Sequence, residues 1–262
     1  MRPLLSLAFI FLTLSGFGQD LHAIEKDLLQ KFSQIQRWSA YRGGIDTSSY
    51  DSLEQANEKF EKALFHYAST NPNTIHAAFT QLKDSGLIIA TSNDGRFRIY
   101  SWDTEQGGTM HFFSNIYQYK DAQGVYAHAD PPREEGDPGY FCSDIYTLPA
   151  IGKKYYLAIN QAIFSTKDCR QSIQVFAIAH HALDDSVRII KTPNGLVSSI
   201  DVDYNFISVV EDHLERPVHL IDYDPVKKII RIPVVKDNGT VTKGTLHYQF
   251  TGRHFQYIRQ SH

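Results

Sequence analysis

The sequence predicts an α+β protein in which N-terminal helices precede a large, curved antiparallel β-sheet domain. Two successive patterns support this prediction. Apolar residues recur at helical spacing up to residue 85, and a two-residue alternation begins after Gly86 and continues to the carboxyl end. With 42% hydrophobic and 21% charged residues, the 262-residue chain can bury a sizeable core.

Residues 1–18 have the order of a secretory signal peptide. Arg2 gives a positive start, an apolar run covers residues 4–14, and the small residue Gly18 precedes the predicted cleavage point. The apolar run is shorter than the roughly 20 residues that span a bilayer. We therefore predict an exported protein, periplasmic or secreted, with no transmembrane segment in the mature chain.

Residues 19–85 are predicted to form a helical segment. The first helix is predicted within residues 21–40, where apolar residues recur every three or four positions. Its apolar stripe consists of Ile24, Leu28, Phe32, Ile35 and Trp38.

Two further helices are predicted in the same segment. The second begins near Ser48 or Ser49, where a hydroxyl can cap the helix, and it ends at Asn71-Pro72. The third is predicted to begin at Thr74 and to stop at Gly86.

Residues 86–262 are predicted to form the antiparallel β-rich domain. The runs "GLIIATS" and "RFRIYSW" are separated by Asn93-Asp94-Gly95, which is a reverse-turn signal. Both faces of the second run carry bulky side chains, which predicts a sheet covered on two sides. Residues 130–139, "DPPREEGDPG", are predicted to form an irregular polar loop. Further strands are predicted at "GTMHFFSNIYQYK", "KYYLAINQAIF", "SIQVFAIAHHAL", "SVRIIKT", "SSIDVDYNFISVV", "VHLIDYD", "KIIRIPVV", "TLHYQFTG" and "HFQYIRQ".

The segment "DGRFRIYSWDTEQGG" resembles the strand-and-turn phrase of β-propeller blades, in which an Asp-Gly turn leads into a strand that ends in Trp-Asp. It departs from the WD-repeat pattern by an extra residue before the Trp and by the lack of a preceding Gly-His. The resemblance implies a small or irregular β-propeller as the alternative fold. The chain also resembles exported β-rich bacterial proteins of unknown function.

The charge of the chain limits its possible partners, and its cysteine content limits its possible disulfide bonds. The net charge is −3, with basic and acidic residues well mixed, and the lack of a basic stripe argues against nucleic acid as a partner. Export would allow a disulfide between Cys142 and Cys169, because oxidising compartments preserve such bonds. The sequence leaves open whether these two residues approach within bridging distance.

Familiar catalytic, metal and cofactor motifs are missing from the sequence, so we predict no catalytic residue, no metal site and no cofactor. Asp201, Asp203 and Asn205 match the first ligand positions of an EF-hand loop, but Phe206 stands where that loop needs Gly. Their alternation with apolar residues predicts a half-buried strand instead. His180-His181 is also placed in a strand, where neighbouring side chains point to opposite faces.

The high aromatic content, 13% of residues, has two interpretations: rings with polar tips suit sugar or peptide recognition, and the same rings can simply fill the faces and cross-strand pairs of a sheet. We predict a non-catalytic exported protein that binds a carbohydrate or an envelope protein through an aromatic-bearing β surface. The predicted surface consists of Tyr100, Trp102, Asp103, Tyr117 and Tyr119.

Two alternatives stay open at this stage. The first is a secreted hydrolase of glycans or peptides that would use clustered acidic groups and one histidine. The second is a structural role in which the apolar face of the first helix docks on another chain. The hydrolase would use Asp103, Glu105, His111, Asp201 and Asp203, although Asp103 and Glu105 are also typical turn residues.

Overall fold

The computed structural model describes residues 20–39, 47–209 and 217–261, and the predicted signal peptide lies outside these ranges. Helices form the N-terminal part and mainly antiparallel sheets form the rest, which confirms the predicted α+β class. Within these ranges, every helix is too short or too polar to cross a membrane.

Three α-helices and one 3₁₀ helix form the N-terminal segment. They are α1 (Leu21–Trp38), α2 (Thr47–Thr70), the 3₁₀ helix (Pro72–His76) and α3 (Thr80–Asp84). The third helix differs from the prediction, because Phe79 adopts a left-handed backbone, with φ of 44°, and separates the 3₁₀ turn from α3. Gly86, with φ of 105°, follows α3 at the predicted stop.

The apolar stripe of α1 is buried inside the protein. Its residues Ile24, Leu28, Phe32 and Ile35 share one hydrophobic cluster with α2, α3 and the first sheet. This packing removes the exposed apolar face that the docking alternative needs. Trp38, the last residue of the predicted stripe, is 37% exposed.

Sheet 1 is antiparallel and follows chain order. Its strands are β1 (Ile88–Thr91), β2 (Phe97–Asp103), β3 (Phe113–Lys120) and β4 (Val125–Ala129). One face carries Tyr100 and Trp102 against the helices, and the other carries Phe97 and Ile99 against the second sheet. Burial on both faces confirms the prediction made from "RFRIYSW".

Sheet 2 lies in the middle of the molecule, between the other two sheets. Its strands, in spatial order, are β11 (Ser199–Asn205), β7 (Asp168–Ala179), β6 (Lys153–Ile163) and β5 (Phe141–Ala150), and β8 (Ala182–Asp184) pairs with β7.

Sheet 3 packs on the opposite face of sheet 2 from sheet 1. Its β9 and β15 strands are parallel, and its other pairs are antiparallel. The strands, in spatial order, are β10 (Gly195–Val197), β9 (Ile190–Thr192), β15 (Phe255–Ser261), β14 (Val241–Phe250), β13 (Ile229–Val235) and β12 (Asp222–Asp224).

The four layers are therefore the helices, sheet 1, sheet 2 and sheet 3. Sheet 1 and most of sheet 2 are built from consecutive antiparallel strands, which is also the local pattern of a propeller blade. The strands of the described ranges form three open sheets, however, and propellers typically have about 4–8 blades.

Two local predictions need correction. The strand predicted at "SIQVFAIAHHAL" ends at Ala179, because His180 and His181 both have positive φ, 49° and 64°, and form the tight turn into β8. The strands β4, β5 and β10 were not predicted. The predicted strand over Asp201, Asp203 and Asn205 is confirmed as β11.

Both cysteines are buried, and the structure forms no disulfide between them. Cys142 on β5 pairs with Asn160 of β6, whereas Cys169 on β7 pairs with Ile163 on the other side of β6. Two strand spacings of about 4.8 Å already exceed the roughly 7 Å limit for the Cα atoms of a disulfide. The odd offset between Asn160 and Ile163 also points the two thiols to opposite faces of the sheet.

Candidate functional site: a polar cavity between sheets 1 and 2

A cavity of about 400 Å³ lies between the edge of sheet 1, one face of sheet 2 and the loop of residues 130–140. We call the sheet 2 surface that bounds it the cavity face. The cavity is lined by Tyr117, His128, Asp130, Pro131, Arg133, Asp137, Pro138, Gly139, Tyr140, Asn160, Ala162, Phe164, Arg170, Ser172, Gln174, Phe176, Asp185, Ser199 and Asp201.

The strand pairing of sheet 2 brings the polar side chains of the cavity face together in rows. Asn160 of β6 pairs with Ser172 of β7, which pairs with Asp201 of β11. Because side chains alternate along each strand, the three members of this row point to the same side. The neighbouring rows place Gln174 beside Ser199 and Arg170 beside Asp203.

The predicted polar loop forms the second wall of the cavity through Asp130. The Asp130 carboxylate accepts hydrogen bonds from Tyr117 Oη (2.8 Å), from the backbone and side-chain nitrogens of Asn115 (both 3.0 Å) and from Arg133 Nη2 (3.1 Å). Arg133 also donates to the Phe113 carbonyl. These bonds fasten the start of the loop to β3.

Burial dominates the protonation behaviour of Asp130 and Tyr117. It raises the pKa of Asp130, although the hydrogen bond from Tyr117 and the charge of Arg133 oppose that shift. Burial also raises the pKa of Tyr117 well above its usual range, so the phenol stays protonated and donates to Asp130.

A chain of polar contacts continues from Tyr117 across the cavity, in which the single phenol proton of Tyr140 can serve either Tyr117 or Gln174. Tyr117 Oη lies 2.7 Å from Tyr140 Oη, which lies 3.4 Å from Gln174 Oε1. Gln174 Nε2 donates to the Asp185 carbonyl at 3.3 Å, so its Oε1 faces Asn160 Nδ2, also at 3.3 Å. These contacts fix the orientation of both amides.

The side-chain carbonyl of Asn160 is then left without a hydrogen-bond partner, although the residue is only 1% exposed. An unpaired buried acceptor costs about 1–3 kcal/mol, so such groups are rare in folded proteins unless a partner completes them. Asn160 is therefore the residue of the cavity face whose buried side-chain carbonyl keeps an unused hydrogen-bond acceptor.

Arg170 is held in place by the carboxylates of two β11 residues, Asp203 and Asp201. Its Nε and Nη2 donate to Asp203 at 2.6 and 2.9 Å, and its Nη1 lies 3.9 Å from Asp201 Oδ2. The guanidinium also lies over the Phe164 ring, 5.4 Å from the ring centroid. The hydrogen bond from Arg170 to Asp203 is the main reason that the pKa of Arg170 is raised.

Four of the five residues of the predicted binding surface are buried aromatics. Tyr100 and Trp102 are 0% exposed and pack under the helices, so their rings offer no surface to a ligand. Tyr119 is also buried, in the layer between sheets 1 and 2. Tyr117 alone of the five lines the cavity, and Asp103 lies at the end of β2.

The acidic groups of the hydrolase alternative divide between two sheets. Asp103 Oδ2 lies 2.5 Å from His111 Nδ1, while its Oδ1 accepts the Glu105 backbone N–H at 2.8 Å as turn residues do. Asp201 and Asp203 lie on β11 of sheet 2 and contact Arg170.

The histidine pair at residues 180 and 181 also stands out in the sequence, and His181 makes a contact that connects two turns. His181 Nδ1 lies 2.6 Å from Asp121 Oδ2, which links the β7–β8 turn to the β3–β4 turn. Within the described ranges, no group of three or more His, Cys, Asp or Glu side chains has the geometry to hold a metal ion.

The fold and site define an α+β protein of four layers with a half-open polar cavity between sheets 1 and 2. Comparisons with protein-family models, with curated protein sequences and with solved structures found no match.

Proposed function

We propose that this protein, after export, binds a small polar ligand in the cavity between sheets 1 and 2 and acts without catalysis. The observation that supports this proposal most is the position of Asn160, a buried amide with an unpaired carbonyl, on the wall of a cavity of about 400 Å³. A volume of this size falls within the range of small-molecule sites in proteins.

The composition of the wall also favours a ligand site. Aromatic rings from Tyr117, Tyr140 and Phe164 lie next to amides, hydroxyls and carboxylates, and such mixtures orient small polar molecules. The ligand surface therefore moves from the exposed aromatic face predicted from sequence to a half-open cavity that retains Tyr117.

The hydrolase alternative has weaker support, because its five proposed groups do not converge on this cavity. Asp201 alone of the five lines it, whereas Asp103, Glu105 and His111 belong to the end of sheet 1 and the turn that follows. A glycosidase pair needs two carboxyl groups separated by roughly 5–10 Å across the scissile bond.

A screen of saccharides, amino acids and amines by ¹⁵N-¹H NMR of the mature protein tests this proposal. We expect a ligand class to shift the amide resonances of Asn160, Ser172 and Tyr140. Ser172→Tyr, which fills the cavity, should abolish the shifts, whereas Ala122→Tyr at the exposed β3–β4 turn should preserve them. Binding that survives Ser172→Tyr, or a screen in which the cavity resonances never move, would overturn it.

A further inference from the structure

We infer that the ligand class of the cavity is a small organic ammonium compound that also carries hydrogen-bonding groups. This inference rests on the proposed function of the cavity and goes beyond it by naming the charge of the ligand.

The charges on the cavity wall are unbalanced towards the negative. Four carboxylates line the cavity, from Asp130, Asp137, Asp185 and Asp201, together with the guanidinium groups of Arg133 and Arg170. The pKa of His128 is lowered by burial, so this imidazole adds no compensating charge at neutral pH.

Both guanidinium groups are already committed to other partners. Arg133 binds the carboxylate of Asp130, and Arg170 binds Asp203 through two hydrogen bonds. The guanidinium of Arg170 also lies 3.9 Å from Asp201, so its single positive charge is shared between two β11 carboxylates. Anionic ligands would therefore meet occupied cations and exposed carboxylates.

Three of the cavity carboxylates, one of which also contacts Arg170, are positioned to attract a cation. Asp137, Asp185 and Asp201 are exposed and lie on three different segments around the cavity, namely the proline-containing loop, the residue after β8 and β11. Charged ligands are drawn to such a rim by the summed field, and that attraction weakens with added salt.

The unpaired carbonyl of Asn160 is an independent indication of the same ligand chemistry. This oxygen can only accept a hydrogen bond, so the missing partner is a donor such as an ammonium or hydroxyl group. Asn160 and Asp201 stand at the two ends of one cross-strand row, about 10 Å apart by two strand spacings. A ligand of a few bonds in length with an ammonium group and a second donor fits this row.

Matched pairs of probes separate charge from shape. Putrescine is compared with 1,4-butanediol, and glucosamine with glucose, by NMR titration of the full mature chain at low and high salt. We expect each ammonium probe to bind at least about tenfold more tightly than its neutral partner. The preference should fall as the salt concentration rises.

Two variants and one control connect the preference to named residues. Asp201→Asn should weaken binding of the ammonium probes about tenfold, and Asn160→Leu about fivefold. Asp51→Asn, which removes the same charge from an exposed position on α2, should leave the affinity unchanged.

The possible results distinguish this inference from the proposed function. Equal binding of both members of each pair, with loss of binding in Ser172→Tyr, would overturn the ammonium assignment and leave a cavity for neutral ligands. No effect of Asp201→Asn on the ammonium probes would also overturn it. If none of the four probes shifts the cavity resonances, the ammonium inference fails. The broader screen of saccharides, amino acids and amines then tests separately whether the cavity binds any ligand.

Discussion

The same face of sheet 2 behaves differently in its two halves. In one half, Tyr156, Ala158 and Phe176 are buried against Phe97 and the neighbouring residues of sheet 1. In the other half, the strands β6 and β7 continue past the cover of sheet 1 and present the polar residues of the cavity face. The sequence changes from apolar to polar at the point where the covering sheet ends.

The opposite face of sheet 2 is mostly apolar and packs against sheet 3 through residues such as Leu157, Ile159, Ile173 and Val175. Its polar pair, Gln161 and Gln171, is buried and hydrogen-bonds to the backbone of Val218, Leu220 and Ile221. On the cavity face, by contrast, the buried amide of Asn160 keeps an unpaired carbonyl. Polar groups on the two faces therefore differ in that those of the opposite face are satisfied by the chain itself, whereas the cavity face retains an acceptor that could serve binding.

The largest expected effect on stability comes from a large-to-small substitution in the apolar half of this sheet 2 face. Phe97 is fully buried, with ring centroids 5.2 Å from Phe176 and 5.5 Å from Tyr156. Phe97→Ala should lower the free energy of unfolding by about 3–5 kcal/mol, because it removes a ring and leaves a void. Urea denaturation measures the free energy of unfolding of each variant. Ser172→Ala in the polar half should change that free energy by less than about 0.5 kcal/mol. Equal losses of unfolding free energy in Phe97→Ala and Ser172→Ala would contradict the proposed difference between the two halves.

A smaller loss is expected where the loop is fastened to β3. Asp130→Ala leaves the donors of Tyr117, Asn115 and Arg133 without their shared acceptor, so it should destabilise the protein by about 2–3 kcal/mol. Asp137→Ala in the same loop removes one acceptor of a backbone N–H and should cost less than about 1 kcal/mol. Similar values for the two variants would show that Asp130 does not anchor the loop.

A pH dependence is expected from His128, whose ring stacks on Tyr117 at the cavity edge with centroids 4.7 Å apart. Its pKa in the folded protein lies below the ordinary value of 6.5, mainly because of burial. The unfolded chain therefore takes up this proton at a higher pH than the folded protein does. Stability should consequently fall as the pH drops below about 6.5. His128→Phe should reduce the loss of unfolding free energy between about pH 7.5 and about pH 5.5, and an identical loss in both proteins would exclude this role.

The smallest effect on stability is expected at Asp201. Its carboxylate is exposed and 3.9 Å from Arg170, and exposed ion pairs contribute about 0–1 kcal/mol. Asp201→Asn should change the unfolding free energy by less than about 0.5 kcal/mol while it weakens ammonium binding. A large loss of stability would assign Asp201 to the framework of sheet 2 instead.

The features predicted from sequence were those set by local periodicity. The stripe of Ile24, Leu28, Phe32 and Ile35 gave α1 correctly, because each of these residues faces the core at helical spacing. The alternation of Val202 and Tyr204 with Asp201 and Asp203 gave β11 for the same kind of reason.

The elements that were missed lack a local signal. In β5 the pairing register shifts between Cys142 and Asp144, and this irregularity interrupts the two-residue alternation. The turn at His180 and His181 has positive φ at two residues without the Gly or Asn that usually marks such a turn.

The cavity could not be predicted because its wall is assembled by strand register. Asn160, Ser172 and Asp201 are far apart in sequence and meet only through the pairing of β6, β7 and β11. The burial of Tyr100 and Trp102 agrees with the two covered faces predicted from "RFRIYSW", and it is the prediction of an exposed binding surface at these two residues that conflicts with it. The polar loop of residues 130–139 was recognised, but not its contact with β3.

Thiol alkylation tests the division of the sheet 2 face most directly. The native cysteines give a silent background, because both are buried and burial raises the pKa of the Cys142 thiol. A new cysteine is placed in the polar half as Ser172→Cys or in the apolar half as Ala158→Cys, and native protein is treated with iodoacetamide. We predict rapid alkylation of the first variant and none of the second until the protein unfolds. Alkylation of both at similar rates, or of the second alone, would contradict the account.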